Sequence, residues 1–373
     1  MKVFIDTNPR WSGGYLAHLK GILTSGLIPD DFKITLYGTQ KLLDAVGPLA
    51  PEIEWIVDDS LPLNPVKMNR WRRENLPKLL LAHAPDVHFS LAGSITSRRI
   101  EGIKTVTMSR NLQPHLVEER RRLPLLSFGR LRLEVLHRKL KSSFARADGV
   151  IFLTDYVREV IVKERVKLKL SAVIPHGLSD AFRREPVRKP LPAQPVILYV
   201  SPFNIYKFQW QVARGVDLAR RQTGLDLQLH LVGGTGSDGW GLFEQARTEL
   251  GNPSWLKVIA HIPYGEIPRV YQSADVFVFA STVETIGNIL LEAMASGLPI
   301  ACSNRRPMTD ILGGDGVTFE SDDPASIATG IIRLLQDDDL RFKSATSAYQ
   351  RSLAYSWQRT ARETFEFLKE VSV

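Results

Sequence analysis

The sequence predicts an α/β protein built from two doubly wound parallel sheets, one in each half of the chain. Three observations carry that expectation. Short apolar runs alternate with longer helical patterns along the whole length. Most of the runs lack polar alternation, as do strands covered by helices on both faces. The set also occurs twice, with a break near Arg183–Gln194, where RREPVRKPLPAQ carries three prolines and five charges. Alternating β and α units favour parallel sheets, whose ligands sit beyond the carboxyl ends of the strands.

The elements follow in order. First-half strands are expected at Lys2–Asp6, Lys33–Tyr37, Ile53–Val57, Val87–Ser90, Thr105–Met108, Gly149–Leu153 and Ala172–Pro175. Second-half strands are expected at Val196–Val200, Leu227–Val232, Lys257–His261, Val276–Ala280, Pro299–Cys302 and Val317–Phe319. A length of 373 residues suits two domains. Hydrophobic residues make up 44% and charged residues 24%, which excludes a disordered or collagen-like chain. Cys302 is the single cysteine, so neither an intrachain disulfide nor a cysteine-based metal cluster is available. No apolar run reaches the roughly 18 residues of a membrane span. The start, MKVFID, reads as a strand rather than a signal peptide, and a reducing cytoplasm is expected.

The net charge of +8 is regional. Residues 61–148 hold 18 Lys+Arg against 7 Asp+Glu, leaving 30 against 33 elsewhere. Such a face suits a polyanion, an anionic membrane or a phosphorylated substrate, or is simply solvated. Within it, 119–146 interleaves Leu131, Leu133, Val135, Leu136 and Leu140 with Arg130, Arg132, Arg138, Lys139 and Lys141. A basic amphipathic stretch of this kind suits an anionic bilayer. Trp71, among Arg70, Arg72 and Arg73, would extend that surface. The alternative is a helix packed on the first domain. No zinc, RNP or helix-turn-helix signature points to nucleic acid.

Two glycine-rich turns stand out. Trp11-Ser12-Gly13-Gly14 follows the first strand and opens a helical pattern. Free helix-start amides there suit a diphosphate or sugar, although a plain βα turn reads the same way. Gly233-Gly234-Thr235-Gly236-Ser237-Asp238-Gly239 contains a literal G-x-G-x-x-G. The acid that a dinucleotide site needs at the end of the next strand is missing, so a loop at a cleft edge is expected instead.

The sharpest motif pairs Glu284 with Glu292. A strand ends at Ala280, and a helix is expected over Gly287–Ser296, stopped by Gly297. Amides near Ile286, Gly287 and Asn288 would face a ligand, as suits a nucleotide-sugar. One carboxylate would accept sugar hydroxyls and the other ribose hydroxyls. The segment resembles the E-x7-E motif of retaining GT-B glycosyltransferases of family 4. Tyr271-Gln272-Ser273-Ala274-Asp275-Val276, Leu291-Glu292-Ala293-Met294-Ala295-Ser296-Gly297-Leu298-Pro299, Ala147-Asp148-Gly149-Val150-Ile151 and Ile174-Pro175-His176-Gly177 extend the likeness. It is strongest over 147–330.

The resemblance implies a GT-B fold. An acceptor-side domain would span 1–185 plus a returning helix at about 357–373, and a donor domain 190–356. It implies Glu284 and Lys207 as catalytic residues, with Lys207 on the donor diphosphate. Gly13, Gly14, Ile286, Gly287, Asn288 and Glu292 would bind donor, Glu292 at the ribose. No metal or other cofactor is implied, the nucleotide-sugar being substrate. Asp337-Asp338-Asp339 is therefore expected to be an exposed loop rather than a metal site. The chain departs from the family where Pro202 and Phe203 stand in place of an arginine, so that phosphate binding would lean more on Lys207 and backbone amides; Arg305 or Arg306 would either compensate or serve only at the surface. It departs again where Ser109-Arg110-Asn111 replaces a His-Asp pair. Asn111 and His115 are candidate acceptor or sugar contacts, and a front-face mechanism would need little base chemistry from the protein. The expected function is retaining hexosyl transfer to a glycan or lipid-linked acceptor in surface polysaccharide synthesis, on the cytoplasmic side, peripherally at the membrane. A nucleotide-sugar epimerase, a catalytically silent sugar-nucleotide-binding partner and an NAD enzyme stand as alternatives.

Overall fold

The computed structural model describes residues 1–9, 13–50, 53–260, 262–314 and 316–373. Trp11, Ser12 and His261, named above, lie outside the described residues. The chain divides into two units, Met1–Gly177 with Tyr355–Val373, and Leu178–Ala354. The proline-rich stretch 183–194 falls inside the second unit. Its Lys189 bonds Asp275 at 3.0 Å, and Arg188 bonds Asp339 at 2.7 Å. A composition typical of linkers is here a strap.

The first unit holds β1 (Lys2–Asp6), β2 (Lys33–Gly38), β3 (Ile53–Val57), β4 (Val87–Ser90), β5 (Lys104–Met108), β6 (Gly149–Phe152) and β7 (Leu170–Val173). They form one parallel sheet in the order β3-β2-β1-β4-β5-β6-β7. The second holds β8 (Val196–Val200), β9 (Gln228–Val232), β10 (Leu256–Ile259), β11 (Val276–Phe279), β12 (Ile300–Ser303) and β13 (Val317–Phe319). Its order is β10-β9-β8-β11-β12-β13, again parallel. Central strands such as β4, β6, β11 and β12 are buried at every residue, which is why they read as unbroken apolar runs. Strand order reverses between β1 and β4 and between β8 and β11, so each unit has a switch point at which α/β sheets bind ligands.

One device recurs at three strand starts. Asp86 accepts from the Lys2 amide at 2.7 Å, Asp148 from the Thr105 amide at 2.9 Å, and Asp275 from the Val196 amide at 3.0 Å. Each aspartate also gives its own amide to a carbonyl of that same residue, Lys2, Thr105 or Val196. The carboxylate thus fixes the register at which two parallel strands begin. Two of the three motifs were family-like in sequence, and their aspartates act on the sheet rather than on a ligand.

The helix Trp357–Ser372 belongs to the first unit and packs on it through Phe365, Phe367, Leu368 and Val371. Gly149 is required beneath it, since a Cβ there would lie 2.6 Å from Val371.

Candidate active site

The second unit's site grows from the carboxyl ends of β8 and β11. After β8 the chain turns through a short helix, Ile205–Lys207, and Lys207 is buried. The Tyr199 hydroxyl, on β8, donates to the Lys207 carbonyl at 2.7 Å. The loop after β9 supports the same turn. Gly239 donates its amide to the Phe203 carbonyl at 2.8 Å, and Asp238 accepts from the Ile205 amide at 2.9 Å. A Cβ at Gly239 would lie 2.7 Å from the Phe203 oxygen, and one at Gly233 would lie 2.1 Å from the Ser201 oxygen. Close backbone approach to the Lys207 segment thus accounts for Gly239, the last glycine of the G-x-G-x-x-G pattern, and for Gly233 just before it.

After β11, the Thr282 amide donates to the Tyr206 carbonyl at 2.9 Å. That bond brings the two carboxyl-end turns together. The Lys207 Nζ donates to the Glu284 Oε1 and lies 5.0 Å from the centre of the Phe279 ring. The side chains are 6% and 15% exposed, so the ion pair is shielded yet reachable. Gly287 follows with φ of +73° and caps the helix Asn288–Ala295. A side chain is strained in that conformation, which explains glycine here. Ile286 is buried, and Asn288 is the first helical residue.

Glu292 lies on that helix, 8% exposed. Tyr271 donates to its Oε2 at 2.9 Å and Tyr264 to its Oε1 at 3.5 Å. Burial pushes the Glu292 carboxyl up to about 7, and the two tyrosine bonds only partly oppose the rise. A solvated helix face does not account for a carboxyl placed this way. The tyrosines were invisible as site residues in the sequence, where they stand 21 and 28 positions away from Glu292.

Other expected site residues fall elsewhere. Gly13 and Gly14 open the helix Gly13–Leu23 in the first unit, and among the described residues no atom lies within 4 Å of where a Gly13 Cβ would sit. Asn111 is exposed and its Oδ1 accepts from the Gln113 amide at 3.1 Å. The His115 side chain is fully buried, so it does not present itself to a sugar; its Nδ1 lies 3.0 Å from Glu164. His137 meets the other oxygen of Glu164 at 2.8 Å. Arg305 and Arg306 approach Glu320 (4.0 Å) and Asp310 (2.7 Å), so both are engaged by surface acids. The aspartate run is a helix start rather than a loop: Asp337 caps the helix Asp338–Ser352, Asp338 pairs with Arg341 and Asp339 with Arg188. Trp71 stacks on Tyr37 at 5.5 Å and packs against the first unit's core, so it does not extend a basic surface.

Residues 183–351 match the family described as Glycosyl transferases group 1. Among relatives, an O-antigen chain mannosyltransferase B of Escherichia coli is 25% identical over 64% of this chain and 65% of its own length. A D-inositol 3-phosphate glycosyltransferase of Corynebacterium urealyticum is 28% identical over 41% of this chain and 38% of its own. The matched stretches thus span less than two thirds of these relatives. Among solved structures, sucrose-phosphate synthase from Thermosynechococcus elongatus superposes with a TM-score of 0.75 at 17% identity, covering 100% of this chain and 99% of that one. HepE of Anabaena, solved with UDP and glucose, gives 0.70 at 16% identity, covering 99% and 100%. The fold is GT-B, with two parallel α/β units, and residues 183–351 form a glycosyl transferases group 1 domain.

Proposed function

We propose that the chain is a retaining, metal-independent glycosyltransferase of family 4. It moves a hexose from a nucleotide-diphosphate sugar to a saccharide or lipid-linked acceptor in surface polysaccharide synthesis. The observation that carries this reading is the shielded Lys207–Glu284 pair beyond β8 and β11. In the free protein Glu284 occupies the Lys207 ammonium. An arriving diphosphate competes for that ammonium and frees the Glu284 carboxylate to accept donor-sugar hydroxyls. Lys207 then stabilises charge on the leaving nucleoside diphosphate, the role otherwise supplied by a metal. The amides at Ile286, Gly287 and Asn288 add a helix start to the same anion. Glu292 accepts from the ribose hydroxyls. In the front-face step the anomeric C–O bond to the diphosphate breaks while the acceptor oxygen bonds the same face. The acceptor proton passes to the departing phosphate oxygen, which leaves the protein little base chemistry to perform.

The relatives' names support the class: a mannosyltransferase of O-antigen chains and a glycosyltransferase of inositol phosphate. A cytoplasmic, peripheral position is part of the proposal. No helix among the described residues is long and apolar enough to cross a membrane. Leu125, Leu126, Phe128, Leu131 and Val135 are exposed beside Arg121, Arg122 and Arg132, as a surface-seated segment requires. Leu133 and Leu140 of that stretch are core instead.

The test is Glu284→Gln, assayed for transfer with and without a chelator. Transfer falls at least about 100-fold, while nucleoside diphosphate binding persists. Full activity in the variant, or loss of wild-type activity on chelation, refutes the reading. Conversion of the donor sugar without any acceptor would favour the epimerase.

A further inference from the structure

The first unit carries a partly buried cation with no counter-ion among the described residues. Arg110 follows β5, with its guanidinium carbon 5.1 Å above the Tyr15 ring. A guanidinium offers five N–H donors. Among the described residues its hydrogen bond is a weak one to the Met108 sulfur at 3.5 Å, and no carboxylate pairs with it. Burial alone drags its pKa down to about 10, and only Tyr15 acts in the other direction. Contrast Arg72 in the same unit, which is buried against Asp6 at 2.9 Å. A charge that is partly withdrawn from water and has no carboxylate partner is well placed to take an anion from outside.

The surroundings suit an anion. Tyr15 stands in the first turn of the helix Gly13–Leu23, so Arg110 lies beside that helix start. Two further polar groups near Arg110 lack a hydrogen-bond partner among the described residues. They are the Ser109 hydroxyl and both nitrogens of the fully buried His18. Burial, His176 and the Arg110 charge keep His18 neutral, which leaves it one donor and one acceptor.

We propose that Arg110, over Tyr15 at the start of the helix Gly13–Leu23, holds an oxyanion of the acceptor: a phosphate or a carboxylate on the sugar that the first unit receives. This rests on the glycosyltransferase reading for the word acceptor, and on the unpaired guanidinium for the anion. It makes the acceptor anionic, which the motif residues of the second unit leave open.

The test is calorimetric binding to the full chain. Probes are glucose 6-phosphate, glucuronate, glucose, and UDP and GDP. Proteins are the wild type, Arg110→Gln, Arg110→Lys and Lys207→Gln. One of the two anionic sugars should bind at least about tenfold tighter than glucose, and which one identifies the oxyanion. That preference should vanish in Arg110→Gln, partly return in Arg110→Lys and survive in Lys207→Gln. Nucleoside diphosphate binding should be lost in Lys207→Gln and kept in Arg110→Gln. The Arg110→Gln melting temperature should not fall, because the variant removes an unpaired, partly buried charge. Equal binding of glucose and both anionic sugars overturns the proposal. So does an Arg110→Gln variant that loses the nucleoside diphosphate, since Arg110 would then serve the donor. Failure of the wild type to bind any nucleoside diphosphate overturns the transferase reading instead, while the Arg110 arm still reports on the anion.

Discussion

Replacing Glu292 by glutamine should make the protein more stable at pH 8 and less able to bind nucleotide. The carboxyl ionises near 7 in the fold against a usual 4.5. A group whose folded value is raised binds its proton more tightly in the native state. Between pH 4.5 and 7 the unfolded chain therefore loses the proton first, and stability falls as pH rises through that window. The full drop, complete above about pH 8, is about 3 kcal/mol. Glutamine cannot ionise and escapes it. Its amide nitrogen must face either Tyr271 or Tyr264, which costs about 1 kcal/mol in one weakened bond. Glu292→Gln should thus be about 1 kcal/mol less stable than wild type near pH 4 and about 2 kcal/mol more stable near pH 8.

The assay is a pair of melting curves recorded from pH 4 to 9. All other titrations are shared, so the difference between the two proteins isolates this carboxyl. A 2 kcal/mol gain corresponds to about 4–8 °C in a unit of this size. A difference that stays flat with pH refutes the argument, because it means the carboxyl ionises normally. The same variant should bind nucleoside diphosphate more weakly, having lost a charged acceptor for the ribose. Stability gained with binding lost is the signature of a residue kept for function.

Lys207→Ala should cut kcat/KM about 100-fold and lower stability by about 1–3 kcal/mol, since Glu284 then keeps a shielded carboxylate without its cation; steady-state kinetics and denaturant titration read both. Gly239→Ala pushes a methyl group to 2.7 Å from the Phe203 carbonyl and so displaces the Lys207 turn; kcat should fall about tenfold with the nucleotide contacts of Glu292 intact, measured as a kcat loss exceeding the loss of nucleoside diphosphate affinity. Leu126→Ser with Phe128→Ser removes two of the exposed apolar groups; sedimentation with anionic vesicles should drop severalfold while donor binding in solution holds.

What was legible in the sequence follows from how local each signal is. β11 and β12 are buried at every residue, so the sequence shows them as apolar runs and places them within a residue of their ends. β7 is half-buried at the sheet edge, with no such run, and it lies two residues before the stretch Ala172–Pro175. The strap 183–194 defeats composition for a different reason. Its prolines and charges resemble a linker, but the partners that hold it, Asp275 and Asp339, lie 86 and 151 residues away. The helix Phe128–Arg146 divides its apolar residues between core and solvent, a partition that spacing alone did not resolve.

The site divides along the same line. Lys207, Glu284 and Glu292 stand in recognisable spacing because two adjacent strand ends must deliver them together. What sets their chemistry is less local. The Lys207 turn is placed by Tyr199, Asp238 and Gly239, and the Glu292 carboxyl is held by Tyr264 and Tyr271. Asp238 and Gly239 sit in the glycine-rich turn and Tyr271 heads a stretch quoted for the resemblance, yet neither pattern announces the groups these residues hold, because any chain that closes the same packing would serve. Arg110 is the reverse case. In the sequence it is only a departure, the residue standing where a His-Asp pair is usual. In the fold it is a partly buried charge with no carboxylate partner among the described residues, and that is the observation behind the proposal that an anion binds there. Departures from a family pattern are therefore where specificity should be sought: in the proposed reaction the shared residues would carry the transfer, and a residue such as Arg110 would select what receives it.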